Sequence, residues 1–250
     1  MSWKLARRLS VALVAAMSMG VVFAACGGDD ASDAEPITVA AARSLQQVFP
    51  AIDPAPTYNF AGSNQLAEQI RQGAPADVFA AANARYPDEL HADGLVDEPV
   101  VFASNRLVLI VPKDNPAGIE KVADVARPGV KLVVAGEAVP AGSYARTVLE
   151  RLNLNAALDN VVSNESDVAG VVGKVSQGDG QAGFVYVTDV ETVKDRVQVI
   201  EIPDAAQPKQ DYKMAVVSAS SNKEAAQAFV DRVTGPDGRK ELEAAGFQLP

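Results

Sequence analysis

Three junctions in this chain place a small or hydroxylated residue where a β-like run gives way to a helix-like one: Ser44 after residues 37–41, Ser63 after residues 57–60, and Ala141 after residues 131–135. The first N–H groups of a helix have no partner within it and carry the positive end of its dipole, so such ends bind anions. A serine there is also a routine cap whose hydroxyl satisfies its own backbone, and Ser63 is placed to be one. Both readings stay open for each junction taken singly. Covalent chemistry has fewer openings. The only candidate nucleophile in a suggestive setting is Ser143, but Ala141-Gly-Ser-Tyr-Ala145 lacks the second glycine of a nucleophile elbow. Its only possible histidine base is His91, in a stretch that reads as the end of an exposed helix. One histidine and one cysteine are too few to build a zinc site from those ligands. A secreted serine hydrolase therefore stands as a remote alternative to a binding function.

The segments around these junctions alternate between strand-like and helix-like patterns, which predicts an α/β fold. Strands are expected at 37–41, 57–60, 76–80, 105–112, 131–135, 182–187, 197–202 and 212–217. Helices are expected at 44–52, 65–72, around 86–91, and at 141–152, 167–177, 223–234 and 238–245, with Gly73 and Gly246 as stops. The organisation changes after the run ending at Pro112. A second series of elements follows, and the last strands and helices return to the first. No internal repeat or low-complexity block interrupts this pattern.

The N-terminus has the form of an export signal: basic Lys4, Arg7 and Arg8, an apolar stretch over 9–23, then small residues. The apolar run falls short of the roughly 20 residues that span a bilayer. It ends at the chain's single cysteine, in Val22-Phe23-Ala24-Ala25-Cys26-Gly27, which resembles the lipobox of bacterial lipoproteins, with Phe23 where that box usually carries an aliphatic residue. The expectation is a signal over 1–25, lipidated Cys26, and a small, acidic tether over 26–36. Loss of the signal leaves 19 basic against 32 acidic residues, a net charge of −13 that argues against a nucleic-acid partner. The remaining length of about 225 residues, in a chain that is 48% hydrophobic, suffices for one large domain or two small ones.

Taken together, the wording of the junctions is more specific. Ile37-Thr-Val-Ala-Ala-Ala-Arg-Ser-Leu45, Phe60-Ala-Gly-Ser-Asn-Gln-Leu66 and Gly73-Ala-Pro-Ala-Asp-Val-Phe79 resemble the periplasmic molybdate-binding proteins of ABC importers. Val139-Pro-Ala-Gly-Ser-Tyr-Ala145, Glu165-Ser-Asp-Val168 and Gly183-Phe-Val-Tyr-Val-Thr-Asp189 continue the likeness in the same order, so that it covers roughly 37 to 249.

The resemblance implies a two-lobed, type II periplasmic-binding-protein fold with the ligand in the cleft. Lobe I would comprise 37–108 and 213–250, and lobe II 109–212. Together with the N-terminal signal and lipobox, it implies an exported, membrane-anchored monomer without enzymatic activity or cofactor, which passes molybdate or tungstate to an ABC permease. By motif, the ligand donors fall on Ser44 and Ser63 (hydroxyl and N–H), Ala141 and Val168 (N–H), and Tyr186 (hydroxyl), with no side chain bonded to the metal. Two positions depart from the family. Arg43 replaces a small residue and would lie against the ligand or form a salt bridge. Asn83 stands where Asp is common and would bear on the lobe interface. Tyr186 also reads simply as an aromatic packed at a strand end. The cargo alternatives are sulfate, phosphate or another tetrahedral oxyanion, and a sensor that signals to a membrane partner would share these features.

Overall fold

The computed structural model describes residues 36–250; the expected signal, Cys26 and the tether up to residue 35 lie outside the described residues. The first strand, β1 (Thr38–Ala42), is buried from Val39 onward. It is covered on both faces, which is why it reads as an unbroken apolar run. A 3-10 turn at Arg43–Leu45 and a short α1 (Val48–Ile52) follow, in place of one helix beginning at Ser44. Pro50 divides them: a helix continuous from Ser44 would need its missing N–H to reach the Gln46 carbonyl, and its ring would clash there. Ser44 thus sits at the centre of a tight turn.

The chain continues through β2 (Thr57–Ala61), α2 (Ser63–Arg71), β3 (Val78–Ala81), α3 (Arg85–Ala92) and β4 (Val100–Ser104). The second series comprises β5 (Leu107–Pro112), β6 (Leu132–Ala135), α4 (Pro140–Arg151), β7 (Val161–Glu165), α5 (Val168–Gln177), β8 (Ala182–Tyr186), α6 (Val187–Val190) and β9 (Val197–Glu201). Then come β10 (Asp211–Val216), α7 (Lys223–Thr234) and α8 (Pro236–Ala244). The sequence reading lacked β4 and β7, both edge strands, and the short α6. In β7 the half-buried, partly polar run Val-Val-Ser-Asn-Glu offers little of the apolar signal of a central strand.

Two five-stranded sheets share one plan. In the first, ordered β2-β1-β3-β10-β4, the strands β1, β2 and β3 run parallel while β10 is antiparallel to both neighbours. The second, β7-β6-β8-β5-β9, has three parallel strands and then β5 antiparallel to β8 and β9. This is the two-lobed α/β arrangement expected. The chain passes between sheets after Ser104 and returns before Asp211, so the expected lobe limits at 108/109 and 212/213 fall inside β5 and β10. Polar Asn105-Arg106 and Gln210-Asp211 mark the change, and the apolar runs beyond them belong wholly to one sheet.

One buried cluster runs through both halves, joining Val39 and Phe49 to Val133 and Phe184, and a second, with Leu66, Phe79 and Leu90, covers the other face of the first sheet. Among the described residues no helix is long and apolar enough to cross a membrane.

Candidate functional site

The parallel strands deliver their carboxyl ends to turns and helix starts, and in open α/β sheets ligands bind at such ends. Here β1 leads to Ser44, β2 to Ser63 at the head of α2, β6 to Ala141 in the first turn of α4, and β7 to Val168 at the head of α5, while Tyr186 ends β8. All five line a single cavity of about 220 Å³ including its mouth. Two come from the first sheet's elements and three from the second's, so the cavity is a cleft between them.

Each of these five residues is held by its surroundings. Ser63 is the first residue of α2, and Gly62, with extended backbone, precedes it as the cap, so the expected role of Ser63 as N-cap does not hold. Its buried hydroxyl instead accepts the Ala82 N–H at 3.1 Å, which ties α2 to the end of β3. Gly62 is required by crowding: a Cβ there would lie 2.7 Å from both Asn64 Oδ1 and the Ser166 carbonyl of the other half. Ser44, also buried, is paired with Tyr212 Oη at 2.9 Å. Ala141 and Val168 lie in first helical turns, where no carbonyl of their own helix can reach their N–H groups. A Cβ on the neighbouring Gly142 would fall 2.1 Å from the Gly136 carbonyl, so glycine lets α4 begin directly on the end of β6.

Tyr186 is 1% exposed, yet its hydroxyl has no hydrogen-bond partner in the protein. Burial raises its pKa well above the usual phenol value, with neighbouring Tyr212 adding to the rise, so it keeps its proton and can donate to an acceptor placed in the cleft. Its ring stands edge-on to Tyr212, with centroids 5.8 Å apart.

Arg43 lines the same cavity, and its Nε donates to Asp167 Oδ2 at 3.3 Å across the cleft, with Nη1 on Gln46 Oε1. Asp167 is at once the N-cap of α5, accepting the Gly170 N–H at 3.0 Å. The guanidinium is therefore both beside the cavity and engaged in an ion pair, which joins the two possibilities open from sequence. Asn83 accepts the Tyr86 N–H, and Tyr86 Oη donates to the Ala138 carbonyl of the second half, a further tie across the cleft. Beneath Tyr186, the Asp189 carboxylate accepts the Tyr186 N–H at 3.0 Å.

The hydrolase residues do not meet. Ser143 Oγ donates to the Pro140 carbonyl within its own helix, while exposed His91, at the end of α3, has its ring nitrogen on the Val96 carbonyl. Sequence reasoning missed Tyr212, Asn105 and the pairing role of Asp167. Tyr212 lies in an otherwise ordinary buried strand, and nothing local marks it as facing Ser44.

A family model described as bacterial extracellular solute-binding protein matches residues 37–248. The chain is 37% identical to the molybdate-binding protein ModA of Mycobacterium tuberculosis over 97% of this chain and 98% of that one. It is 29% identical to ModA of Escherichia coli, covering 90% and 93% of the two chains. Among solved structures, the substrate-binding domain of a putative molybdenum ABC transporter from Clostridium difficile shares 30% identity with a TM-score of 0.65, covering 86% of this chain and 99% of that one. The sulfate-binding protein SubI from M. tuberculosis, at 20% identity, shares the fold with a TM-score of 0.70, covering 86% of each chain.

Proposed function

Because the chain belongs to the bacterial extracellular solute-binding protein family, we propose that it captures molybdate or tungstate outside the cytoplasm and delivers it to an ABC permease. The observation that carries this reading is the convergence of Ser44, Ser63, Ala141, Val168 and Tyr186 on one cleft, with the Tyr186 hydroxyl buried and unpartnered there. The relatives named for molybdate support the choice of anion. The function is recognition rather than catalysis, and it needs no cofactor: the anion is the cargo, held through its oxygens.

The donor set gives hydroxyl and N–H from Ser44 and Ser63, N–H from Ala141 and Val168, and hydroxyl from Tyr186. Hydrogen bonds to a charged group contribute roughly 1.5 to 3 kcal/mol each, so seven give roughly 10 to 20 kcal/mol gross. Closing and ordering the site subtracts several kcal/mol, which leaves dissociation constants on the order of micromolar to nanomolar. The acidic surface opposes capture only weakly, because charges beyond about 8 Å are largely screened at physiological ionic strength. Size sets the selectivity: a cage spaced for molybdate leaves sulfate's shorter bonds unable to reach every donor, and each unpaired group costs affinity.

Lobes built on the two sheets close on the anion, since contacts from both favour the closed form. The mature protein is a monomer held at the outer face of the membrane by lipidated Cys26. Sulfate is the second reading, supported by the shared fold of a sulfate-binding protein. Calorimetric titration of the domain with molybdate, tungstate, sulfate and phosphate separates them. Tight binding of sulfate or phosphate with no heat from molybdate would replace the proposed cargo. Tryptophan fluorescence does not serve, because the only tryptophan, Trp3, falls within the export signal.

A further inference from the structure

Behind Ser44 lies a chain of hydrogen bonds that leads away from the cleft to both crossings between the sheets. Asn105, buried in the first crossing, accepts the Arg106 backbone N–H on Oδ1 at 2.9 Å. A backbone N–H can only donate, so this contact fixes which end of the amide is oxygen. The two amide protons then go to Thr188 Oγ1 at 2.9 Å and Tyr212 Oη at 3.3 Å. Tyr212, fully buried at the start of β10, accepts there, and its Oη lies 2.9 Å from Ser44 Oγ, a contact in which either hydroxyl could donate; with Asn105 already on its acceptor side, the Tyr212 proton is left for Ser44. Burial holds the Tyr212 phenol far above its ordinary pKa, so that proton is always present.

We propose that Asn105 and Tyr212 are positioning residues that set the polarity of the site, by filling the acceptor side of the Ser44 hydroxyl so that its proton points at the bound anion. Ser63 has the same arrangement in simpler form, since the Ala82 N–H occupies its oxygen and leaves its proton for the cleft. Both serine hydroxyls thus face the ligand as donors only. That suits an oxyanion carrying no proton of its own, which accepts at every oxygen. The inference rests on the proposed oxyanion site and adds to it two residues that do not line the cavity.

The test is a double-mutant cycle on molybdate affinity, read by calorimetry on the mature domain with thermal melts to confirm folding. Tyr212→Phe removes one oxygen and frees Ser44 to turn away, and it is expected to weaken binding by about tenfold. In a Ser44→Ala background the same change is expected to have an effect within about twofold of none, because Tyr212 acts through Ser44. Asn105→Ala is the second variant. It releases Tyr212 to accept from Ser44 and is expected to weaken binding less, again only while Ser44 is present. A structural role would not move this coupling. Wild-type affinity in Tyr212→Phe, or an equal loss with and without Ser44, overturns the proposal. If the wild-type chain takes sulfate in place of molybdate, the cycle is read on sulfate, so a wrong cargo and a wrong polarity chain give separate results.

Discussion

At the scale of single residues, Tyr186 carries the clearest signature. A buried hydroxyl without a partner costs roughly 1 to 3 kcal/mol, a burden that a structural tyrosine would not retain. Tyr186→Phe is therefore expected to hold or raise the melting temperature of the ligand-free protein while weakening molybdate binding by at least about tenfold. A melt that falls together with unchanged affinity would assign the hydroxyl to stability instead. Ser44→Ala and Ser63→Ala are each expected to lose roughly 1.5 to 3 kcal/mol of binding, measured by titration. These residues were legible in the sequence because each sits in a motif at a strand end. Tyr212 and Asn105 were not: they are more than 100 positions apart, and only the two crossings between sheets bring them behind Ser44.

At the scale of elements, the site is a set of strand ends and helix starts held at close range. Gly142 is the tightest such contact, and Gly142→Ala is expected to cost about 1 to 3 kcal/mol by forcing α4 off β6. Because that shift moves Ala141, ligand affinity should fall with stability; a stable variant with intact affinity would contradict the packing described. Asp189, which anchors the turn after β8, gives a pH signature. Burial pushes its carboxyl up to about 7, against the Tyr186 N–H that favours the charged form and with nearby Asp167 adding to the rise. The folded protein then binds a proton that the unfolded chain releases near 3.8, so this group's contribution to stability falls as pH rises from about 4 to 7. Asp189→Asn keeps an oxygen for the Tyr186 N–H and is expected to flatten that slope in denaturant titrations at several pH values. Most central elements were readable from apolar runs and glycine stops. The break before α1 is written in the sequence as Pro50, whose ring excludes a helix continuous from Ser44, whereas edge strand β7 has too little apolar alternation to announce itself.

At the scale of the molecule, two sheets of the same plan share one cleft, and the ligand would complete the contacts between them. The Arg43–Asp167 pair and the Tyr86 bond to Ala138 already cross that cleft. They bias the halves toward each other without supplying the donors for an anion. Arg43→Gln is expected to leave the fold intact and speed ligand release, with only a small change in stability, since the pair is partly exposed. The division of the chain into two series with a return was visible in the sequence, but the exact crossings were set by which strand pairs with which. The most direct test of the central claim is calorimetry of the mature domain with molybdate in the presence and absence of tenfold excess sulfate. The expected result is one molybdate bound per chain, with an affinity that the sulfate leaves nearly unchanged. Displacement of molybdate by the sulfate, or no binding of molybdate at all, would contradict it.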